Sequence, residues 1–167
     1  STRPGWVVGV RTADCVPILI AGPGVVAAVH AGWRGTAARI VVETVRQIQA
    51  RYGVAPSSLH VAIGPSIAAD CYPVGEDVIE GLTRALETSP GGFQGVSWPR
   101  SAGAVRVDLQ EANRRLLLES GVQAASIEVL SHCVSCDAMR FFSHRRDRGQ
   151  TGRMLNFIGL QQAAGTG

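Results

Sequence analysis

Short runs of apolar, mostly β-branched residues open this chain. Three of them, Val7–Val10, Val16–Ile20 and Val25–Val29, predict β-strands. Gly22-Pro23-Gly24 lies between the second and third runs and predicts a tight turn. We therefore expect these two strands to form a hairpin.

Longer stretches with apolar residues at helical spacing follow. Thr36 is placed to cap a first helix that runs to about Tyr52. Glu76–Glu87 predicts a second helix. Asp108 is placed to cap a third, which ends at Gly121. Further strands are expected at 59–63, 126–130 and 154–158, and a long loop at 89–104. Strand pairs mixed with helices favour an α/β or α+β fold over a doubly wound sheet.

Composition limits the class of protein. The chain has 167 residues, of which 46% are hydrophobic and 17% are charged, and this suits one folded domain. Its longest apolar runs are far shorter than the roughly 20 residues of a membrane span, and no secretory leader opens it, so we expect a cytoplasmic protein without a membrane partner. All 16 basic residues are Arg. The missing Lys excludes Schiff-base, phosphate-loop and kinase lysines.

Five Arg residues crowd into positions 140–153. They form either a solvated basic edge or an anion site. A small phosphate or nucleotide fits better than a nucleic-acid duplex, because duplex binders usually carry a longer basic face.

Cys15 and His30 are the first candidates for chemistry. The predicted hairpin would bring them together, and a thiolate beside an imidazole can bind zinc or act as a nucleophile. A buried structural Cys and an ordinary His remain an equal alternative. Two residues also do not complete a catalytic zinc site, which normally has three protein ligands.

The loop after His30 strengthens the functional interpretation. Gly32 and Gly35 free the backbone around Arg34, just ahead of the predicted helix. Backbone N–H groups, the helix dipole and the guanidinium would favour an anion there. A surface ion pair in an ordinary turn is the alternative.

A second cluster contains the Cys-x-x-Cys motif Cys133–Cys136, which suggests half of a structural zinc site or a redox pair. A complete site would need Cys71, His60 or His132. The nearby segment 141–146 could add an aromatic wall and positive charge to the pocket of Arg34, or simply end a strand.

Several motifs together are similar to one known family. They are Thr-Ala-Asp-Cys at 12–15, His-Ala-Gly-Trp-Arg-Gly-Thr at 30–36, Ile-Gly-Pro-Ser-Ile at 63–67, Cys71-Tyr72, Asp108-Leu109 with Asn113, Cys133, Phe142-Ser143-His144-Arg145 and Thr151-Gly152-Arg153. The chain resembles the laccase-domain, or polyphenol oxidase, family, described first as copper oxidases and later as zinc-dependent purine nucleoside phosphorylases with adenosine deaminase activity.

The resemblance implies a mixed α/β sandwich related to the deamidase domain of cytotoxic necrotizing toxins. It also implies a metal held by one Cys and two His, with Cys15 and His30 as two of these ligands. The family's other histidine precedes the Thr-Ala-Asp-Cys block, and no His occurs among the eleven residues before Thr12. We therefore expect a single domain over 1–167 that lacks the family's N-terminal segment and one metal ligand.

The resulting hypothesis is a zinc enzyme, with copper as the other metal, that acts on a nucleoside and phosphate. Cys15 and His30 would hold the metal, and Asp14 would orient a ligand, act as a base or cap a turn. Arg34, with the Gly32–Gly35 backbone, and Arg145 would bind phosphate. A copper-dependent polyphenol oxidase, a metal-free Cys–His amidase acting on cell-wall peptides and a non-enzymatic binding module remain alternatives.

Overall fold

A computed structural model describes residues 1–99 and 105–161. The central element is a four-stranded sheet of order β3-β2-β4-β8. Its strands are β2 (Val16–Gly22), β3 (Val25–Ala31), β4 (His60–Ile63) and β8 (Ile127–Val129). Strands β2 and β3 form the predicted antiparallel hairpin, and β8 runs parallel to β4.

A two-stranded ribbon packs on this sheet. Strand β1 (Val7–Thr12) pairs antiparallel with β9 (Met154–Gly159), and both contact β3. The remaining strands, β5 (Pro73–Val74), β6 (Ser97–Pro99) and β7 (Val105–Val107), form a small separate sheet of order β5-β7-β6. The predicted loop 89–104 is thus wrong in part, because it contains β6. Its residues 100–104 lie outside the described residues.

In the described part of the chain, four helices complete the fold: α1 (Trp33–Ala37), α2 (Ile40–Tyr52), α3 (Glu76–Ala85) and α4 (Leu109–Glu119). The core lies between the sheet and the helices, where Ile18 and Ile20 of β2 are buried together with Val41 of α2 and Leu116 of α4. Within the described residues, no helix is long and apolar enough to cross a membrane. The mixed α/β class expected from the sequence is confirmed.

The predicted first helix is wrong at its start. The helix begins at Trp33, with Gly32 as its N-cap, so Thr36 lies inside it. Arg39 then adopts a left-handed conformation (φ 57°) that separates α1 from α2. Glu119 holds the Arg39 guanidinium at 2.5 Å, and this tertiary contact fixes the bend. The cap predicted at Asp108 is confirmed, since Oδ1 accepts a 2.9 Å hydrogen bond from the Glu111 N–H.

Candidate active site

The hairpin places Cys15 and His30 at the same end of the sheet. His30 is the register partner of Pro17, and Val16 is the partner of Ala31. Extending this register by one residue places Cys15 opposite Gly32. The Cys15 and His30 side chains then lie diagonally across the two strands, on the same face of the sheet. Both side chains line the same cavity.

The cavity has two adjoining lobes, of about 310 Å³ and about 370 Å³. Volumes of this order suit a small-molecule ligand. Arg34 lines the first lobe and Arg145 the second. Six residues line both: Asp14, Cys15, His30, Trp33, Ile67 and Tyr72.

Guanidinium groups surround the cavity. Arg34 stacks on Trp33 at 4.3 Å, and Arg145 stacks on Tyr72 at 5.1 Å. Such stacking fixes the planar group. Arg145 also donates to the Pro73 carbonyl at 3.2 Å, which leaves its remaining N–H donors for an anion. Arg153 also lines the second lobe. The site is therefore electropositive: of the described residues that line it, Asp14 alone is acidic.

The position of Arg34 relative to the helix N-terminus differs from the expected one. It lies within the first turn of α1, not ahead of a long helix, and α1 has only five residues. The dipole contribution predicted for the anion site is therefore small, because it grows with aligned peptide units. The guanidinium itself remains on the cavity.

Asp14 connects two distant segments. Its carboxylate accepts 2.6 Å hydrogen bonds from the Ser143 hydroxyl and from the Arg145 backbone N–H. Its backbone carbonyl accepts another from the Ile67 N–H at 2.9 Å. Asp14 also has a positive φ of 89°, a strained conformation that these bonds hold in place.

The Cys15 thiol is half-buried. Burial raises its pKa, the Asp14 carboxylate raises it further, and the lowering effect of Arg153 does not compensate. On its own the thiol is therefore protonated at neutral pH. A cation bound at the sulfur would reverse this by favouring the thiolate.

Cys15 and His30 offer sulfur and nitrogen, the donors that zinc prefers. Within residues 1–99 and 105–161, no third His, Cys, Asp or Glu completes a metal-ligating group with them. One group of three does occur in that part of the chain: the sulfurs of Cys71, Cys133 and Cys136 lie within 4.8 Å of one another. The structure thus contains a cluster that could bind a metal ion.

Some lining residues had no predicted role. Trp33, Ile67 and Tyr72 form the aromatic and apolar wall, and His144 lines the second lobe. The sequence left open whether segment 141–146 faces the cavity. His144 and Arg145 of that segment line the second lobe, whereas Phe141 and Phe142 are not among the lining residues, and Phe142 is 48% exposed beside Gly152. Tyr72 had a signal in the sequence, its place next to Cys71 in a family motif.

The family described as multi-copper polyphenol oxidoreductase laccase matches residues 1–161. The chain belongs to this family.

One curated relative is a purine nucleoside phosphorylase, YlmD, of Geobacillus stearothermophilus. It is 45% identical over 161 residues, which cover 90% of this chain and 54% of the relative. Another is the adenosine deaminase RL5 of an unknown prokaryotic organism, 39% identical over 92% of this chain and 58% of the relative. This chain spans little more than half the length of these relatives.

The fold agrees with a solved structure of the family. The crystal structure of YlmD from Geobacillus stearothermophilus superimposes with a TM-score of 0.90 at 44% identity, over 96% of this chain and 59% of that one. The resemblance noted from the motifs is therefore confirmed.

Proposed function

We propose that this protein is a metal-dependent purine nucleoside phosphorylase with adenosine deaminase activity. The observation that carries the proposal is one cavity that combines Cys15 and His30 with Arg34 and Arg145. The relatives named as phosphorylase and deaminase support the choice of substrate. The partners are a small nucleoside and phosphate.

Cys15 and His30 would hold a zinc ion, supplying two of the three protein ligands of a typical catalytic site. A bound zinc ion would supply Lewis acidity that activates phosphate for attack on the ribose C1′, or water for attack on purine C6. Zinc suits this sulfur–nitrogen donor pair. A trinuclear copper oxidase would need several His pairs, whereas the chain has four His in all.

Arg34 and Arg145 would bind phosphate from the two lobes. Their guanidinium groups are held over Trp33 and Tyr72, so their donors are oriented before the anion arrives. The same two rings, with Ile67, leave an apolar wall on which a purine base can stack.

Asp14 would act as a positioning residue. Both of its carboxylate oxygens accept hydrogen bonds from the segment that carries Arg145. This use of the oxygens supports the orienting role and not the role of general base.

The test is release of hypoxanthine from inosine by the purified protein, with and without phosphate. Release that requires phosphate, and that falls at least about a hundredfold in both Cys15→Ser and His30→Ala, supports the proposal. Wild-type turnover in either variant would overturn the assignment of these residues. Adenosine is the second substrate, and inosine formation without phosphate reports the deaminase reaction.

The two enzymatic alternatives give different results in parallel assays. Oxygen uptake with a phenol by copper-loaded protein would indicate an oxidase. Peptide amide hydrolysis that is blocked by thiol alkylation but not by chelators would indicate the metal-free amidase. Either result, without nucleoside turnover, contradicts the phosphorylase proposal.

A further inference from the structure

A second cluster of sulfurs lies outside the candidate active site. Cys71 ends a short 3₁₀ turn after β4, whereas Cys133 and Cys136 belong to a loop after β8. The fold brings these two segments together across 65 residues of sequence, with the Cys71 and Cys136 sulfurs 3.4 Å apart. All three sulfurs lie within 4.8 Å of one another.

Contacts that do not involve the sulfurs also hold these two segments together. Ser66 and Cys133 form an isolated parallel bridge, and the Val134 N–H donates to the Ser66 carbonyl at 3.0 Å. The Arg146 guanidinium donates to the Val134 carbonyl at 3.0 Å. The two loops are therefore held in register by the main chain, and the convergence of the thiols is built into the fold.

The Cys133 sulfur is surrounded by donors. The Ala68 N–H donates to it at 3.4 Å, and the N–H groups of Ser135 and Cys136 also point to it. Burial raises the pKa of the Cys133 thiol, but these hydrogen bonds outweigh burial, and the net pKa lies below the usual value. Main-chain donors of this kind stabilise a thiolate, which is the form that binds metals.

The Cys136 thiol resists ionisation in this cluster. Hydrogen bonds and repulsion from Cys71 and Cys133 raise the pKa of Cys136 to about 12. A divalent cation among the sulfurs would remove this repulsion and allow all three protons to pass to solvent.

We propose that Cys71, Cys133 and Cys136 form a zinc-binding site with three protein ligands, separate from the site of Cys15 and His30. Zinc–sulfur bonds of about 2.3 Å place the sulfurs of a tetrahedral site about 3.8 Å apart, which small side-chain movements achieve here. Because Cys136 is exposed, solvent can complete the coordination. The bound ion would join the two loops that carry Tyr72 and Arg145, and would thereby support the wall of the cavity.

A disulfide is the competing use of these cysteines. It would join two sulfurs and leave the third as a free thiol, although all three lie within 4.8 Å of one another. The convergence of three therefore favours a metal ion. The proposal does not depend on the enzymatic activity.

The experiment uses the Cys15→Ser/His30→Ala protein, so that the candidate active site cannot contribute metal. The protein is stripped of metal, reduced and titrated with Zn²⁺, and with Co²⁺ as a spectroscopic probe. We expect one equivalent of zinc to bind, and Co²⁺ to give an intense sulfur-to-metal charge-transfer band. We also expect zinc to protect three thiols from alkylation and to raise the melting temperature.

Cys71→Ser and Cys133→Ser should each weaken zinc binding at least about tenfold and reduce the charge-transfer band. Ser135→Ala is the matched control, because it lies in the same loop and keeps its backbone N–H. It should bind zinc as the parent does. If a variant fails to fold, the protection that zinc gives the three thiols against alkylation in the Cys15→Ser/His30→Ala protein still tests the proposal.

Three results would overturn the proposal. The first is that no zinc binds to the reduced Cys15→Ser/His30→Ala protein, and the second is that Co²⁺ binds without a charge-transfer band. The third is a disulfide between any two of these cysteines, Cys71–Cys136 included, that forms readily in air in the presence of zinc. None of them affects the nucleoside assay, so the two proposals fail independently.

Discussion

Gly32 lies directly against the Cys15 sulfur. A Cβ atom built at position 32 would be 2.8 Å from Sγ, closer than any unstrained contact. The backbone of Gly32, with φ −73° and ψ 174°, is open to any residue, so space and not conformation requires glycine here. The close approach sets the position of the thiol at the mouth of the cavity.

Gly32→Ala should therefore displace the sulfur while the fold survives. We expect kcat/KM for inosine to fall at least about tenfold, with a loss of stability of about 1 kcal/mol or less. Gly35→Ala is the comparison: its Cβ would meet Ile40 at 3.4 Å, an ordinary contact, and should cost less. Equal activity of the two variants would contradict this account of Gly32.

Asp14→Asn tests the positioning role of Asp14. The amide keeps one acceptor oxygen but turns an NH₂ group toward one of two donors, the Ser143 hydroxyl or the Arg145 N–H. We expect a higher KM for phosphate, because Arg145 shifts, together with a lower melting temperature. Asparagine tolerates positive φ, so backbone strain is not the cause.

Steady-state kinetics over a range of pH distinguish the roles. A general base at Asp14 would show a loss of kcat and of one limb of the pH profile, with unchanged KM for phosphate. That result would contradict the positioning role. Ser143→Ala, which removes only one of the two hydrogen bonds, should shift KM less.

Thr36 and Asn113 form a buried polar link between α1 and α4. The Asn113 amide donates to the Thr36 hydroxyl at 2.9 Å, and that hydroxyl donates to the Gly32 carbonyl at 3.0 Å. Both side chains are fully buried. Thr36→Val would leave the amide with one fewer acceptor, and should lower the free energy of unfolding by about 1–3 kcal/mol.

Urea denaturation measures this loss. Thr44→Val is a matched control, because the Thr44 hydroxyl also donates within its helix, at 2.8 Å to Ile40, but lies near the surface. It should change stability by less than about 0.5 kcal/mol. Similar losses in both variants would show that the buried link adds nothing.

The Asp147 carboxylate lies in the loop next to the candidate active site and is expected to make the stability of the protein sensitive to acid. Hydrogen bonds from Arg146, and a further one from Thr151, lower the pKa of Asp147 to about 2, against an ordinary value of 3.8. The folded state binds this proton less tightly than the unfolded state does. The ionised carboxylate therefore stabilises the folded state above pH 3.8. The contribution disappears as the pH falls from 3.8 toward 2.

Asp147→Asn should therefore lower the melting temperature at pH 6 and have little effect near pH 2. Differential scanning calorimetry of both proteins at several pH values gives the comparison. A difference that persists unchanged at pH 2 would show that the carboxylate acts through packing and not through its charge.

The hairpin could be predicted from sequence because its signals are local. Alternating β-branched residues and a glycine turn specify β2 and β3, and their register then brings Cys15 and His30 to one cavity. The break between α1 and α2 could not be predicted in this way. It depends on the contact of Arg39 with Glu119, which is 80 residues away in sequence.

The same distinction applies to the sites. The Cys-x-x-Cys motif was visible, but Cys71 was only one of three possible companions until the fold placed it 3.4 Å from Cys136. The family motifs include Tyr72 and Trp33, but they do not specify which space each ring borders, so the fold was needed to place both in the cavity wall.

The hairpin turn and the candidate metal ligands lie at opposite ends of β2 and β3. The hairpin has seven register pairs, from Val16–Ala31 to Gly22–Val25, a length of roughly 20 Å. Pro23 and Gly24 are exposed, but Gly24 has a positive φ of 70° that disfavours a side chain, so Pro23 is the position for a substitution. This tip is thus a natural place for an epitope or a fluorophore that reports on the protein without disturbing its chemistry.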